Sequence, residues 1–193
     1  MLRRLYDWTL GLAAHRRATP ALGIISFIES SVFPIPPDVM LIPMILADRQ
    51  RAFRLALIAT ICSVLGGFAG YAIGVFLFEQ VAEPLIRLYG YGDAFADFSA
   101  GYKEHGGWAV FVFGVTPFPY KVITIASGVT RLDLLTFLVA SMAARGLRFF
   151  VVATLLWYFG EPIRVFIEKY LGPLFILFVV CLIGGFVAVR FLL

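Results

Sequence analysis

The chain has 193 residues, of which 61% are hydrophobic and 15% charged. A soluble domain carries about a quarter charged residues, so this composition excludes a soluble domain and predicts a polytopic membrane protein. The formal net charge is +4, but the cations flank the hydrophobic runs as in positive-inside topology, so they do not indicate binding of nucleic acid.

The first segment, 1–17, combines apolar residues with arginines at both ends. This pattern is typical of a basic amphipathic helix lying on an anionic membrane surface, although a frayed terminus can have the same composition. We treat 1–17 as an interfacial segment, and the remainder, 18–193, as a single membrane domain.

The next segment, 18–47, is apolar but is interrupted by charges and prolines. Proline removes a backbone donor and breaks a helix, and irregular backbone at membrane depth is tolerated only inside protein or along a wet cavity. The segment therefore predicts a first re-entrant hairpin, formed around Pro34, Pro36 and Pro37. A basic turn at 48–54 follows it.

Residues 55–78 contain no charged residue and predict a transmembrane helix. Glycines recur every four residues at Gly66, Gly70 and Gly74, so they share one helix face. A face without side chains allows close helix packing in a membrane. The same face is compatible with a homo-oligomer.

The polar segment 79–105 reads as one or two interfacial helices broken near Gly90 to Gly92. Residues 107–130 predict a second re-entrant hairpin, formed around Pro117 and Pro119. Further spans are predicted at 134–160 and 170–193.

The chain thus divides into two halves, each a proline-broken hairpin followed by a transmembrane helix. Matching broken segments are typical of inverted-repeat transporters. We predict an all-α integral membrane protein with two inverted repeats and one extra C-terminal transmembrane helix. The distribution of Lys and Arg puts 1–17, 48–54 and 161–169 in the cytoplasm and 79–105 outside.

Five charges have no easy route to water: Glu29, Asp38, Lys121, Arg145 and Arg148. Ionisable groups at membrane depth indicate function by default, and an arginine presents a fork suited to phosphate. We expect the three cations to bind substrate and the two acids to couple its movement to protons. Ion pairs that only lock the hairpins to the bundle are the alternative.

No catalytic pattern accompanies these charges. The two histidines lie in polar segments, and the sequence has neither a Gly-x-Ser-x-Gly nor a His-Glu-x-x-His motif. We therefore predict no enzyme activity, no metal and no cofactor.

The run from Glu29 to Pro43, the glycine-rich span and the run from Thr116 to Gly128 resemble the DedA family, also called SNARE-associated or VTT-domain proteins. The YqaA-like branch is the most similar. The resemblance implies a bacterial inner-membrane protein with two re-entrant hairpins, linked to lipid translocation and to proton-motive-force homeostasis. The acids important in the family match Glu29 and Asp38. Many relatives carry arginines around the second proline motif, where this chain has Lys121.

From the residues and the resemblance together, we expect a protein that moves a lipid with a phosphate headgroup, a phospholipid or a polyprenyl phosphate, between leaflets. Coupling to protons is compatible with the two acids. The alternatives are a proton-coupled transporter of a small cationic solute and a membrane-organising protein that transports nothing.

Overall fold

The computed structural model describes residues 18–31, 36–84, 86, 92–116, 119–160 and 162. All regular secondary structure within these ranges is helical, with no strand. The predicted segments at 1–17 and 170–193 lie outside the described residues.

Six α-helices follow one another along these ranges. A 3₁₀ turn, Arg49–Arg51, precedes the third helix, and a π-helical turn, Phe78–Ala82, extends it. The α-helices are α1 (Ala18–Ser31), α2 (Asp38–Ala47), α3 (Ala52–Leu77), α4 (Gly92–Val115), α5 (Tyr120–Val129) and α6 (Leu134–Gly160).

Two of these helices are long and apolar enough to cross a membrane: α3 with its flanking turns, and α6. The 26 residues of α3 extend about 39 Å at 1.5 Å per residue, more than the roughly 30 Å hydrocarbon core. Helices α2 and α5 have ten residues each and are too short to cross. They have the lengths that re-entrant arms need, and the re-entrant path itself stays a prediction.

Helix α4 runs without interruption from Gly92 to Val115. The predicted border between the segments 79–105 and 107–130 therefore lies inside one helix. The sequence changes from polar to apolar near Gly106, but this change of composition is not accompanied by a change of secondary structure.

The buried residues of α3 are mostly small ones. Leu57, Ile61 and Leu65 are exposed, whereas Ala59 and Ser63 are buried. Lipid tails are as apolar as leucine, so membrane helices pack through small residues and leave large apolar ones outside. This arrangement fits a helix surrounded by lipid.

The glycine face of α3 packs directly against the backbone of two other helices. A Cβ atom at Gly66 would fall against the backbone of Phe27 in α1, and one at Gly74 against the backbone of Ile125 in α5. Gly70 lies between them. The absence of side chains on this face allows α1 and α5 to approach the backbone of α3 closely.

The turn between α5 and α6 fixes where α6 begins. Arg131 has φ of 51°, and the N–H of Leu132 donates to the carbonyl of Ser127 at 2.9 Å, as in a Schellman motif. Asp133 then accepts hydrogen bonds from the backbone and side chain of Thr136. These bonds hold the pKa of Asp133 below its usual value and cap the first turn of α6.

We expect Gly66→Ala to destabilise the protein by about 1–3 kcal/mol, because the added methyl group would collide with rigid backbone. The measurement is the melting temperature of the purified protein in detergent. Gly101→Ala is the matched control: Gly101 lies in α4 with open space around its Cα, so alanine should leave the melting temperature unchanged or raise it. Equal melting temperatures for the two variants would contradict the close α1–α3 contact.

Candidate functional site

Four of the five predicted charges meet where α1 and α2 face α6. Glu29 lies in the last turn of α1 and Asp38 is the first residue of α2. The two acids therefore lie on either side of the first proline segment. Arg145 and Arg148 lie three positions apart on one face of α6. Each arginine forms an ion pair with one acid.

Within the part of the chain that the structure describes, Arg145 is the one charged residue that is fully buried. Its partner Glu29 keeps only 13% of its side chain exposed. The Nη2 of Arg145 donates to Oε2 of Glu29, and Nε donates to Oγ of Ser63 at 2.8 Å. A longer bond of 3.3 Å joins Nη2 to Oγ of Ser30. The pair therefore links α6 to α1 directly and through α3.

Two aromatic rings lie close to this guanidinium. The Cζ of Arg145 lies 4.2 Å from the ring centroid of Tyr120 and 5.5 Å from that of Phe149. Both distances are within the range of cation–π attraction. The Tyr120 hydroxyl donates to Oγ of Ser141 at 2.5 Å, which holds the ring in place.

Arg148 joins the two proline breaks to each other. Its Nη2 donates to Oδ2 of Asp38 at 2.5 Å, and its Nη1 donates to the backbone carbonyl of Thr116 at 3.3 Å. Asp38 directly follows the first break and Thr116 directly precedes the second. One guanidinium thus bonds the start of α2 and the residue after the end of α4 to α6.

Two buried polar atoms of the site have no hydrogen-bond partner among the described residues: Nη1 of Arg145 and Oδ1 of Asp38. A buried donor or acceptor left without a partner costs about 1–3 kcal/mol. Such atoms call for an explanation, and a functional role of the group is one of those known from other proteins.

The remaining predicted cation, Lys121, lies in the first turn of α5, next to Tyr120 under the guanidinium. Its side chain is partly buried, and its backbone carbonyl accepts from Oγ1 of Thr124 at 2.9 Å. Thr124 in turn contacts the carbonyl of Ser30 at the end of α1. The start of α5 is therefore held close to the acid-bearing end of α1.

The prolines mark the starts of the short helices. Pro37 precedes α2 with φ of −59°, and Pro119 precedes α5 with φ of −61°. The carbonyl of Pro36 accepts from the N–H of Val39 at 3.2 Å. Pro34 and Pro117 lie outside the described residues.

Sequence reasoning missed the hydroxyl and aromatic partners of the arginines. Ser30 had a signal, since it directly follows Glu29. Ser63 had a weaker one, as a hydroxyl in an uncharged span on the side of the glycines. Tyr120 and Thr116 had none, because only the chain path brings them to α6.

The VTT domain sequence model matches residues 35–158, a range that contains Asp38, both arginines and the α5 segment. The chain belongs to the VTT-domain family, also called the DedA family. Members of this family are membrane proteins, in agreement with the two helices long enough to cross. Glu29 lies just before the matched range.

Among relatives of this VTT-domain protein, an uncharacterized protein of Haemophilus influenzae is 38% identical over 86% of this chain and 85% of the relative. An uncharacterized protein of Histophilus somni is 41% identical over 81% and 82%. Undecaprenyl phosphate transporter A of Staphylococcus aureus is 28% identical over 72% and 68%. No solved structure matches the chain significantly.

We expect the Glu29–Arg145 pair to be strongly coupled in a double-mutant cycle of thermal or denaturant stability. Glu29→Gln alone should cost about 3–5 kcal/mol because it leaves a buried guanidinium uncompensated. Adding Arg145→Gln should restore part of the loss. The matched control is the exposed pair Glu79–Arg131, whose side chains are 44% and 61% exposed and whose coupling should stay below about 1 kcal/mol. Equal coupling in the two cycles would contradict a buried, structurally demanding pair.

Proposed function

We propose that this VTT-domain protein is a bacterial inner-membrane transporter that moves a lipid with a phosphate headgroup between leaflets. The observation that carries the proposal is a fully buried guanidinium, Arg145, with one nitrogen unbonded within the described residues. It lies on the same face of α6 as Arg148, beside two titratable acids. Polyprenyl phosphates and phospholipids are the substrate classes proposed.

A phosphate group matches the donors that the arginines offer. A guanidinium offers several N–H donors in a fixed fork and binds phosphate oxygens more strongly than a neutral donor does. In the proposal, Nη1 of Arg145 donates to one phosphate oxygen and Arg148 to another. Lys121, at the start of α5, is proposed as a third cation for the headgroup.

The two acids would then act as competitors of the substrate. In the arrangement described, Glu29 and Asp38 neutralise the arginines that a phosphate would need. Protonation of a carboxyl group removes its charge and weakens its hold on the guanidinium. A proton on each acid would therefore favour phosphate binding, and its release would favour phosphate departure. This competition is the proposed basis of proton coupling.

The comparisons support a transporter in coarser terms. The family match and a relative named for undecaprenyl phosphate transport both favour a membrane transporter over an enzyme. That relative is 28% identical, so a polyprenyl phosphate is one candidate substrate among phosphate lipids.

The alternatives have less support. A cationic solute bound by Glu29 or Asp38 would first have to displace an arginine from each acid. A membrane organiser acting through the glycine face would need that face free, whereas Gly66 and Gly74 lie against α1 and α5 within the same chain.

The test is leaflet exchange in liposomes reconstituted with the purified protein. The probes are a fluorescent polyprenyl monophosphate, a fluorescent phosphatidylglycerol and a fluorescent phosphatidylcholine. We expect Arg145→Lys and Arg148→Lys each to slow exchange of the transported lipid about tenfold, since an ammonium cannot replace the bidentate fork. Arg131→Lys, in an exposed ion pair, is the control and should keep the parental rate.

Asp38→Asn should also weaken the dependence of the rate on pH, since Glu29 is then the one remaining acid of the two. A contrary result would be that the parent protein exchanges none of the three lipids and instead shows proton flux driven by a cationic solute. That result would replace the proposal by a proton-coupled transporter of a small cationic solute. Exchange that is insensitive to both arginine substitutions would overturn the assigned site.

A further inference from the structure

Ser63 lies in the middle of α3, fully buried, between Arg145 and Ser30. Its Oγ accepts from Nε of Arg145 at 2.8 Å and lies 2.7 Å from Oγ of Ser30. Ser30 is itself 3.1 Å from Oε2 of Glu29. A single serine of α3 thus connects the guanidinium of α6 to the acid of α1 by a second route beside the ion pair.

Counting protons fixes the direction of this route. A serine hydroxyl has one proton to donate. Ser30 has acceptors in Glu29 and in the backbone carbonyl of Ser26, at 3.0 Å. For Ser63, the acceptor among the described residues is Oγ of Ser30. Both serine hydroxyls are satisfied when Arg145 donates to Ser63, Ser63 donates to Ser30, and Ser30 donates to Glu29 or to the carbonyl of Ser26.

This arrangement occupies one edge of the guanidinium and leaves the other available. The Nε and Nη2 atoms bond to Ser63, Glu29 and Ser30, and the rings of Tyr120 and Phe149 lie within cation–π distance of Cζ. Only Nη1 has no partner in the described part of the chain. The rotation of the group about its long axis decides which nitrogen is presented.

We propose that Ser63 is a positioning residue: by accepting from Nε, it sets the orientation of the Arg145 guanidinium and reserves Nη1 for an oxygen of the phosphate headgroup. The inference rests on the proposed function, because the phosphate is the ligand of that site. It adds a residue on α3 that carries no charge and that touches the substrate only through Arg145.

Removal of the Ser63 hydroxyl leaves the Nε proton without its acceptor. The guanidinium is then no longer held at Nε and can turn until Nη1 and Nη2 both face the Glu29 carboxylate, which is a bidentate geometry that Arg–carboxylate pairs favour. In that orientation Nη1 is taken by Glu29 and is lost to the phosphate. Ser63→Ala should therefore weaken binding of the phosphate lipid while the translocation step keeps its maximal rate.

The experiment measures the initial rate of exchange against the mole fraction of fluorescent polyprenyl monophosphate in proteoliposomes. We expect Ser63→Ala to raise the half-saturating mole fraction about tenfold, the size of one lost hydrogen bond to a charged group, with a maximal rate within about twofold of the parent. Ser63→Cys keeps the volume but offers only a weak acceptor, so it should behave the same if the alanine variant fails to fold.

The matched control is Ser26→Ala. Ser26 is also fully buried, and its hydroxyl donates only to the carbonyl of Leu22 in its own helix among the described residues. It should keep the parental half-saturation. In an Arg145→Lys background, Ser63→Ala should add no further rise, because coupled residues are not additive. A rise of equal size in both backgrounds, or a loss of maximal rate alone, would overturn the positioning role.

A second readout separates this inference from the proposed function. In arginine-labelled protein, the Nε–H resonance missing from Arg145→Lys reports the bond to Ser63 directly. It should shift in Ser63→Ala and not in Ser26→Ala, whether or not any lipid is exchanged. If the parent exchanges no phosphate lipid, the proposed function fails, and an unmoved Nε–H resonance would then reject the positioning role as well.

Discussion

The rest of the site depends on one requirement: a guanidinium without access to solvent needs a carboxylate and further acceptors close by. Arg145 meets it with Glu29 from α1 and Ser63 from α3. Both helices must therefore approach α6 closely. The glycine face of α3 allows this, because Gly66 admits the backbone of Phe27 two residues before Glu29. Close packing and charge compensation are thus two consequences of the same helix arrangement.

The second guanidinium extends this arrangement to the irregular backbone. Arg148 bonds to Asp38 after the first break and to the carbonyl of Thr116 before the second. Non-helical backbone at membrane depth needs partners within the protein. Arg148 supplies one to the carbonyl of Thr116, and it holds the start of α2 through the Asp38 carboxylate. Any change in the pairing of Arg148, such as protonation of Asp38, would act on both breaks at once. In the proposed function, the same two pairs stabilise the fold in one state and release the arginines for the substrate in another.

The sequence was informative where a residue type is costly in a membrane. Glu29, Asp38, Arg145 and Arg148 could be picked out because a charge at such a depth has few roles. The span 55–78 could be recognised because a long run without any charge is typical of a transmembrane helix. The continuity of α4 could not be predicted, because the composition of the chain changes from polar to apolar near Gly106 while the helix continues. Tyr120, Thr116 and the role of Ser63 were also out of reach, since a neutral side chain carries no such cost and only the three-dimensional path brings it to an arginine.

The most direct test of the account is whether a phosphate touches the α6 arginines. In proteoliposomes containing a polyprenyl monophosphate, solid-state NMR can detect dipolar coupling between the ³¹P of the lipid and ¹⁵N of labelled arginines. If the α6 arginines bind the phosphate, we expect ³¹P and an arginine ¹⁵N to lie within about 4 Å, the range of a charge-assisted hydrogen bond to phosphate. This coupling should be lost in the double variant Arg145→Lys, Arg148→Lys. Coupling that persists in that variant, or no coupling in a parent protein that transports the lipid, would contradict the account.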